Sequence, residues 1–197
     1  MIDCFRTCSK LCHNIHLPVQ SGSDRIRKVM NRNYDSATYI KKLELARSYM
    51  PDLVVTTDII VGFPGETEED FEETLDIARR VEYDSAFTFI YSPREGTPAA
   101  KFTDQVPDDV CHERFDRLVD VMNAISLKRN QAYMGRICEV IAEGVSRSDD
   151  NVLAGRTDGF KLVNFTSDKS PEQLMGRKVM VEITESKTFS LEGREVE

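Results

Sequence analysis

Three cysteines near the start of the chain have a spacing that chemistry can use. Cys4, Cys8 and Cys12 form a C-x3-C-x3-C run. Three thiolates can ligate an iron–sulfur cluster. Residues four apart also share one face of a helix, where cysteines pack as small apolar side chains. The spacing leaves both interpretations open, whereas Cys111 and Cys138 are predicted to be packing residues in a helix and a strand.

Asp58 interrupts the most apolar segment of the chain, LVVTTDIIV at residues 53–61. This β-branched run predicts a parallel strand that is covered on both faces. A carboxylate inside such a strand costs free energy unless it is paired or binds a polar ligand. Asp58 therefore either contacts a ligand or accepts hydrogen bonds from neighbouring backbone N–H groups, and both alternatives remain open.

The turn Gly62-Phe63-Pro64-Gly65 follows this strand and precedes a predicted helix. A glycine-rich turn ahead of a helix can hold a phosphate group. The nucleotide-binding P-loop, however, needs Lys-Ser/Thr after its second glycine, and Glu66-Thr67 stands there. Residues 64–84 carry nine acidic and two basic side chains, so the helix N-terminus would repel an anion. The pattern argues against a nucleoside triphosphate site.

A polar cluster, QSGS at residues 20–23, follows a second predicted strand. Arg32 comes twelve residues after Gln20 and could return across a helix to bind a carboxylate with its planar guanidinium. The simpler interpretation is that Ser23 caps the helix and the basic residues are solvated. The spacing alone favours this simpler interpretation.

Alternating strand and helix patterns would position these residues. Strands are predicted at 15–19, 53–61 and 85–91, and helices at 24–31, 36–50, 67–81 and 107–134. Such alternation predicts parallel βα units. Three units are too few for a closed eight-stranded barrel, so the α/β part is expected to be a portion of a larger structure.

The pattern changes after Met134, where short β-rich runs alternate with Gly, Asp and Ser turns. Four or five strands in this space predict a small antiparallel β-barrel of OB-like size. We therefore divide the chain into two predicted domains, residues 1–133 and 134–197.

Composition limits the choice of partners and of compartment. The 197 residues carry a net charge of −8, so nucleic-acid binding would require a local basic site. The chain lacks an apolar run long enough for a membrane-spanning helix. Five cysteines, an odd and small number, argue against a disulfide-stapled secreted scaffold. A cytoplasmic, reduced location is expected, with no DNA or membrane partner.

Three segments in sequence order carry a family resemblance: HLPVQSGSDRIRKVMNRNY from residue 16, TTDIIVGFPGETEEDFEET from 56 and FTFIYSPREGTPAA from 87. They resemble the radical S-adenosylmethionine methylthiotransferases, and AGRTDGFKLVNF with GRKVMVEITES resembles their TRAM domain, a small RNA-binding β-barrel. The resemblance runs from about residue 12 to the end. It implies part of a radical-SAM, TIM-like α/β barrel followed by a TRAM β-barrel.

The resemblance also implies an activity. Members like this chain add a methylthio group to C2 of N6-dimethylallyladenosine next to the tRNA anticodon. Alternatives are a member that acts on threonylcarbamoyladenosine tRNA or on a ribosomal protein, and a non-catalytic RNA-binding fragment. The family's partners are tRNA, a sulfur donor and an electron-donor protein.

The resemblance assigns roles residue by residue. The residues matched to S-adenosylmethionine binding are Gln20, Arg32, Asp58, Gly62, Gly65 and Tyr91, with Arg32 on the ligand carboxylate and Asp58 on the ribose hydroxyls. The residues matched to RNA contacts are Arg156, Lys161, Asn164 and Phe165.

The cysteines depart from the family pattern. The family holds one [4Fe–4S] cluster with a C-x3-C-x2-C motif and a second with three cysteines of a separate N-terminal domain. Cys4, Cys8 and Cys12 have one residue too many and lie directly before the HLPVQSGS segment. They are weak candidates for metal ligands, so the chain is expected to be the C-terminal portion of such an enzyme and inactive alone.

Overall fold

The computed structural model describes residues 2–147 and 149–196. Its first part contains a parallel sheet with the strand order β1–β2–β3, which confirms the predicted βα units. The strands are β1 (Asn14–His16), β2 (Val54–Val61) and β3 (Ser85–Ile90).

The helices of the chain are α1 (Ile2–Thr7), α2 (Asp24–Val29), α3 (Ser36–Tyr49), α4 (Glu68–Val81), α5 (Asp108–Gln131) and α6 (Pro171–Leu174). Apolar side chains of α3, α4 and α5 pack on one face of the sheet and form the larger core. The predicted stripe of α5 is confirmed, since Leu118, Met122 and Ile125 are buried. Across the described residues, every helix is too short or too polar to cross a membrane.

Strand β2 is covered on one face only. Val55, Ile59 and Val61 point into the core, whereas Thr56 and Asp58 on the opposite face are partly exposed. The prediction of a strand covered on both faces is therefore wrong. The helices form a single layer on this sheet, so side chains of alternate residues remain accessible.

Strand β1 is shorter than predicted because Pro18 has no N–H group to donate to the ladder. The N–H of Leu17 still donates to the Thr56 carbonyl at 2.9 Å. Beyond the proline, Val19 donates to the Thr57 side chain instead, and pairing resumes at Gln20, which bridges to Ile59. The chain thus continues along β2 as far as the polar QSGS turn.

The second part is a closed five-stranded barrel with the order β4–β5–β6–β8–β7. Its strands are β4 (Ile137–Val145), β5 (Leu153–Thr157), β6 (Leu162–Thr166), β7 (Lys178–Ser186) and β8 (Leu191–Glu195). The barrel forms its own apolar core. One pair, β6 with β8, is parallel, so the expectation of a wholly antiparallel barrel is corrected. Parallel pairing needs a crossover, and α6 with β7 provides it.

A buried carboxylate joins the two parts. Asp84, which directly precedes β3, accepts a hydrogen bond from the Val55 N–H at 2.9 Å. Its other oxygen lies 2.9 Å from Nζ of Lys161, on the barrel, and 3.2 Å from Nε of Arg129, near the end of α5. Lys161 also donates to Oδ1 of Asn130 at 2.8 Å.

The barrel loop before Lys161 rests against the amino ends of β1 and β2. Gly159 leaves no room for a side chain, because an added Cβ would lie 2.6 Å from Cγ2 of Val54. The carbonyl of Gly159 accepts from the Asn14 side chain at 3.2 Å, and Asp158 accepts from the His13 N–H at 3.3 Å. These contacts fix the orientation of the barrel on the α/β part.

The Asp84–Lys161 pair is expected to stabilise the junction strongly. Replacing Lys161 with Met leaves part of the Asp84 charge unpaired in a buried site, which costs about 3 kcal/mol of unfolding free energy. Urea unfolding measures this loss. The loss of unfolding free energy in the double variant D84N/K161M should be smaller than the sum of the losses in the two single variants. The control K178M removes an exposed partner of Glu139 and should change little. Additive losses would contradict the coupling.

Candidate functional site

The exposed face of the parallel sheet brings together polar and aromatic side chains. Asp58 of β2 pairs in register with Phe87 of β3, and Ile60 pairs with Phe89. Residues paired in a parallel ladder project to the same side of the sheet, so these side chains share one surface. Phe87 and Phe89 are exposed, which is unusual for two large apolar residues of one strand.

His16 of β1 completes this surface beside Asp58. Its Nε2 lies 3.5 Å from Oδ1 of Asp58, and its Nδ1 lies 3.0 Å from Oγ1 of Thr56. Its ring meets Phe87 edge-on, with 6.2 Å between the centroids. Asp58 is thus not buried among backbone donors: its side chain is 28% exposed, and its carboxylate can accept hydrogen bonds from a ligand.

The carboxyl ends of the strands form the upper edge of this surface, where ligands of parallel α/β folds bind. The backbone of Gln20 forms two hydrogen bonds with β2. Its N–H donates to the Asp58 carbonyl at 2.9 Å, and its carbonyl accepts from the Ile60 N–H at 2.7 Å. After β3, the Tyr91 ring packs edge-on against Phe63 with centroids 5.1 Å apart. The Tyr91 hydroxyl is buried and lacks a hydrogen-bond partner among the described residues.

The glycine turn after β2 is packed rather than open. Gly62 and Gly65 adopt φ angles of 72° and 77°, which favour glycine. A Cβ on Gly62 would lie 2.4 Å from Sγ of Cys111, which is buried as predicted. The Gly62 N–H donates to Glu66 at 2.9 Å. A carboxylate of the chain thus occupies the position that a phosphate oxygen would need.

Asp70 connects the two polar turns. Its carboxylate accepts hydrogen bonds from Ser23 Oγ at 2.6 Å, from Thr67 N–H at 2.8 Å and from the Arg25 guanidinium. Thr67 and Asp70 form the predicted capping box of α4. The prediction for Ser23 is corrected: it occupies the N-cap position of α2, but its hydroxyl binds Asp70 instead of the helix.

The remaining predicted residues of the first domain are Arg32 and the three cysteines near the start of the chain. Arg32 is exposed, and its N–H donates to the Arg27 carbonyl at 2.9 Å. Cys4, Cys8 and Cys12 are exposed free thiols, so the interpretation that they pack is wrong. Within residues 2–147 and 149–196, no group of His, Cys, Asp or Glu side chains is arranged to hold a metal ion.

The predicted RNA contacts divide into two pairs. Lys161 and Phe165 are buried, the first against Asp84 and the second in the barrel core. Their RNA role remains a prediction, and their burial argues against it. Arg156 and Asn164 are partly exposed; Asn164 donates to Glu192 at 3.1 Å.

Sequence reasoning did not single out His16, Phe87 and Phe89. The sequence of β3, SAFTFI, does contain a signal for the two phenylalanines. They are two residues apart in the strand, so their side chains lie on the same side of β3. Knowing that this side is exposed requires the three-dimensional structure, because a core strand shows the same alternation.

Two protein-family models agree with this architecture. The model of the Radical SAM superfamily matches residues 4–78, and the model of the TRAM domain matches residues 131–196. A solved structure of coproporphyrinogen III oxidase from Escherichia coli, described as a radical SAM enzyme, has a TM-score of 0.49 and 17% identity. That match covers 80% of this chain and 44% of that one.

Three relatives with higher sequence identity share one name. The chain is 56% identical over 196 residues to the tRNA-2-methylthio-N(6)-dimethylallyladenosine synthase of Clostridium botulinum (strain Okra / Type B1), covering 100% of this chain and 43% of that protein. The synthase of Clostridium tetani is 53% identical with the same coverage. That of Acetivibrio thermocellus is 51% identical over 98% of this chain and 40% of its own length.

The chain thus combines an α/β segment that matches the Radical SAM superfamily with a barrel that matches the TRAM domain. Along its whole length the chain is similar to part of the tRNA-2-methylthio-N(6)-dimethylallyladenosine synthases. It spans less than half the length of the curated relatives it matches.

The Asp70 carboxylate makes the stability of the site depend on pH. Burial raises its pKa, but hydrogen bonds from Arg25, Ser23 and Thr67 outweigh burial and hold the pKa well below the usual 3.8. A carboxyl with a lowered folded-state pKa stabilises the protein above its unfolded-state pKa, and this contribution disappears as the pH falls. Asp70→Asn should therefore cost about 3 kcal/mol at pH 7, and the difference from wild type should shrink below about pH 4.

Urea unfolding at several pH values measures this difference. Asp76→Asn serves as a control, because Asp76 lies on the same helix and pairs with Arg79 at the surface. That substitution should leave the unfolding free energy nearly unchanged. A difference between Asp70→Asn and wild type that does not depend on pH would contradict the role of the Asp70 charge.

Proposed function

We propose that this chain is part of a tRNA methylthiotransferase that adds a methylthio group to C2 of N6-dimethylallyladenosine next to the anticodon. The observation that carries the proposal is 56% identity along the whole chain to the Clostridium botulinum protein of that name. The TRAM match and the separately folded barrel support an RNA substrate. Methylthiotransferases for threonylcarbamoyladenosine or for a ribosomal protein are less favoured, since the three relatives described above share one name.

S-adenosylmethionine would bind at the upper edge of the exposed sheet face and, when bound, supplies a 5′-deoxyadenosyl group and a methyl group. The hydroxyl of Tyr91, which is buried and has no hydrogen-bond partner among the described residues, fits a polar group of such a ligand. Asp58 would accept hydrogen bonds from ribose hydroxyls, and Gln20 and Arg32 would bind the amino-acid end. The turn from Gly62 to Gly65 would lie near the adenosine.

The described residues do not fit the two iron–sulfur clusters of the family. The three cysteines of the N-terminal segment are exposed, and no set of metal-ligating side chains converges within residues 2–147 and 149–196. We therefore assign cluster binding to residues outside this chain. The enzyme would work in the cytoplasm with a sulfur donor and an electron-donor protein.

Nucleoside analysis of tRNA tests the proposal. Disrupting the coding region in its organism should remove 2-methylthio-N6-dimethylallyladenosine from the tRNA and leave N6-dimethylallyladenosine in its place. Liquid chromatography with mass spectrometry of tRNA hydrolysates measures both. Unchanged 2-methylthio nucleoside would reject the enzymatic role and favour the second candidate, a non-catalytic RNA-binding protein built on the barrel.

The isolated chain is expected to be inactive. After anaerobic incubation with iron, sulfide, dithionite and S-adenosylmethionine, it should form no 5′-deoxyadenosine above a protein-free control, because it cannot hold the electron-delivering cluster. Chromatography of the quenched mixture measures the product. Formation of 5′-deoxyadenosine that depends on the protein would show that the exposed cysteines do assemble a cluster.

A further inference from the structure

The barrel presents one aromatic ring beside a guanidinium at the junction with the α/β part. Phe160 lies in the loop between β5 and β6 and is 60% exposed. The guanidinium carbon of Arg156 lies 4.4 Å from the centroid of its ring. The same guanidinium donates to the Phe160 carbonyl at 3.2 Å. Because Arg156 covers one face of the ring, the exposed area lies on the opposite face and the edge.

The neighbours of Phe160 hold its position. Asp158 and Gly159 contact His13 and Asn14 of the α/β part, and Lys161 is buried against Asp84. The N–H of Phe160 donates to the Thr157 carbonyl at 2.8 Å and closes the turn. Every other residue of the loop is thus engaged in an anchoring contact, while the Phe160 ring faces solvent.

Both the residue type and the conformation at position 160 are unfavourable for stability alone. The φ angle of Phe160 is 66°, a left-handed conformation that bulky residues rarely adopt. Exposing the ring also forgoes the free energy that burial of a phenylalanine provides. A strained backbone conformation and an exposed aromatic ring at the same residue indicate a role other than stabilising the fold.

We propose that Arg156 and Phe160 form a platform on which one unpaired RNA base stacks. Aromatic rings and guanidinium planes are the groups that proteins use to stack bases of single-stranded RNA. The inference rests on the proposed RNA substrate and specifies where the barrel binds it. Phe160 contacts the base, and Arg156 positions the ring from below.

Basic side chains near Phe160 can bind the RNA phosphate next to the stacked base. Ile141 of β4 pairs with Arg156 on one side and with Lys178 on the other, so both basic residues flank it on the outer face of the barrel. Lys178 pairs with Glu139 at 2.8 Å, and Arg156 lies 3.4 Å from Glu143. Exposed pairs of this kind are weak and can exchange a carboxylate for a phosphate.

Binding of a fluorescein-labelled anticodon stem–loop RNA to the full chain, measured by fluorescence anisotropy, tests the platform. Phe160→Ala should weaken binding about tenfold, the effect of losing one stacked base. Phe160→Trp should retain binding. The dependence on salt should stay unchanged in Phe160→Ala, because stacking releases no counterions. A 2-aminopurine placed in the loop should lose its quenching in Phe160→Ala only.

Phe189 provides a matched control, since it is 74% exposed in another loop of the same barrel. Phe189→Ala should bind as wild type does, and circular dichroism should show that both alanine variants are folded. Equal affinity of Phe160→Ala and wild type, or an equal loss in both alanine variants, would overturn the platform. Failure of the wild-type chain to bind the RNA would also overturn the platform. The enzymatic role is tested separately, by the nucleoside analysis of cellular tRNA.

Discussion

The structure depends on how one buried carboxylate is neutralised. Asp84 receives a backbone N–H from β2, a guanidinium from α5 and an ammonium from the barrel. An unpaired charge at this depth would cost several kcal/mol, so each partner must be present for the others to be tolerated. Burial lowers the pKa of Lys161, while Asp84 opposes this shift and favours its charged form. The two domains therefore share an electrostatic requirement as well as a surface.

This arrangement assigns different tasks to the two ends of the sheet. The barrel docks at the amino ends of the strands through Asp84 and Gly159. The polar turns and Tyr91 lie at the carboxyl ends, and the exposed face with His16 and Asp58 runs between them. A ligand at the carboxyl edge and an RNA on the barrel would thus approach from opposite ends of one surface.

Local physical chemistry made much of the fold predictable. The capping box at Thr67 and the apolar stripe of α5 each depend on residues that are close together in the sequence, and both predictions are confirmed. Sequence patterns do not reveal which partner a polar side chain will find across the fold. Ser23, predicted to cap a helix, binds Asp70 instead, and Lys161, matched to RNA by the resemblance, forms a buried ion pair with Asp84.

The parallel pairing of β8 with β6 has a consequence for synthesis on the ribosome. β8 comprises residues 191–195 and fills the gap between β6 and β7, so the barrel cannot close until β8 has emerged. The nascent barrel therefore exposes two unpaired strand edges for the longest time. The three strands of the parallel sheet have all emerged by residue 90, before any strand of the barrel. Completion of the barrel is thus a non-local step that follows the formation of its other strands.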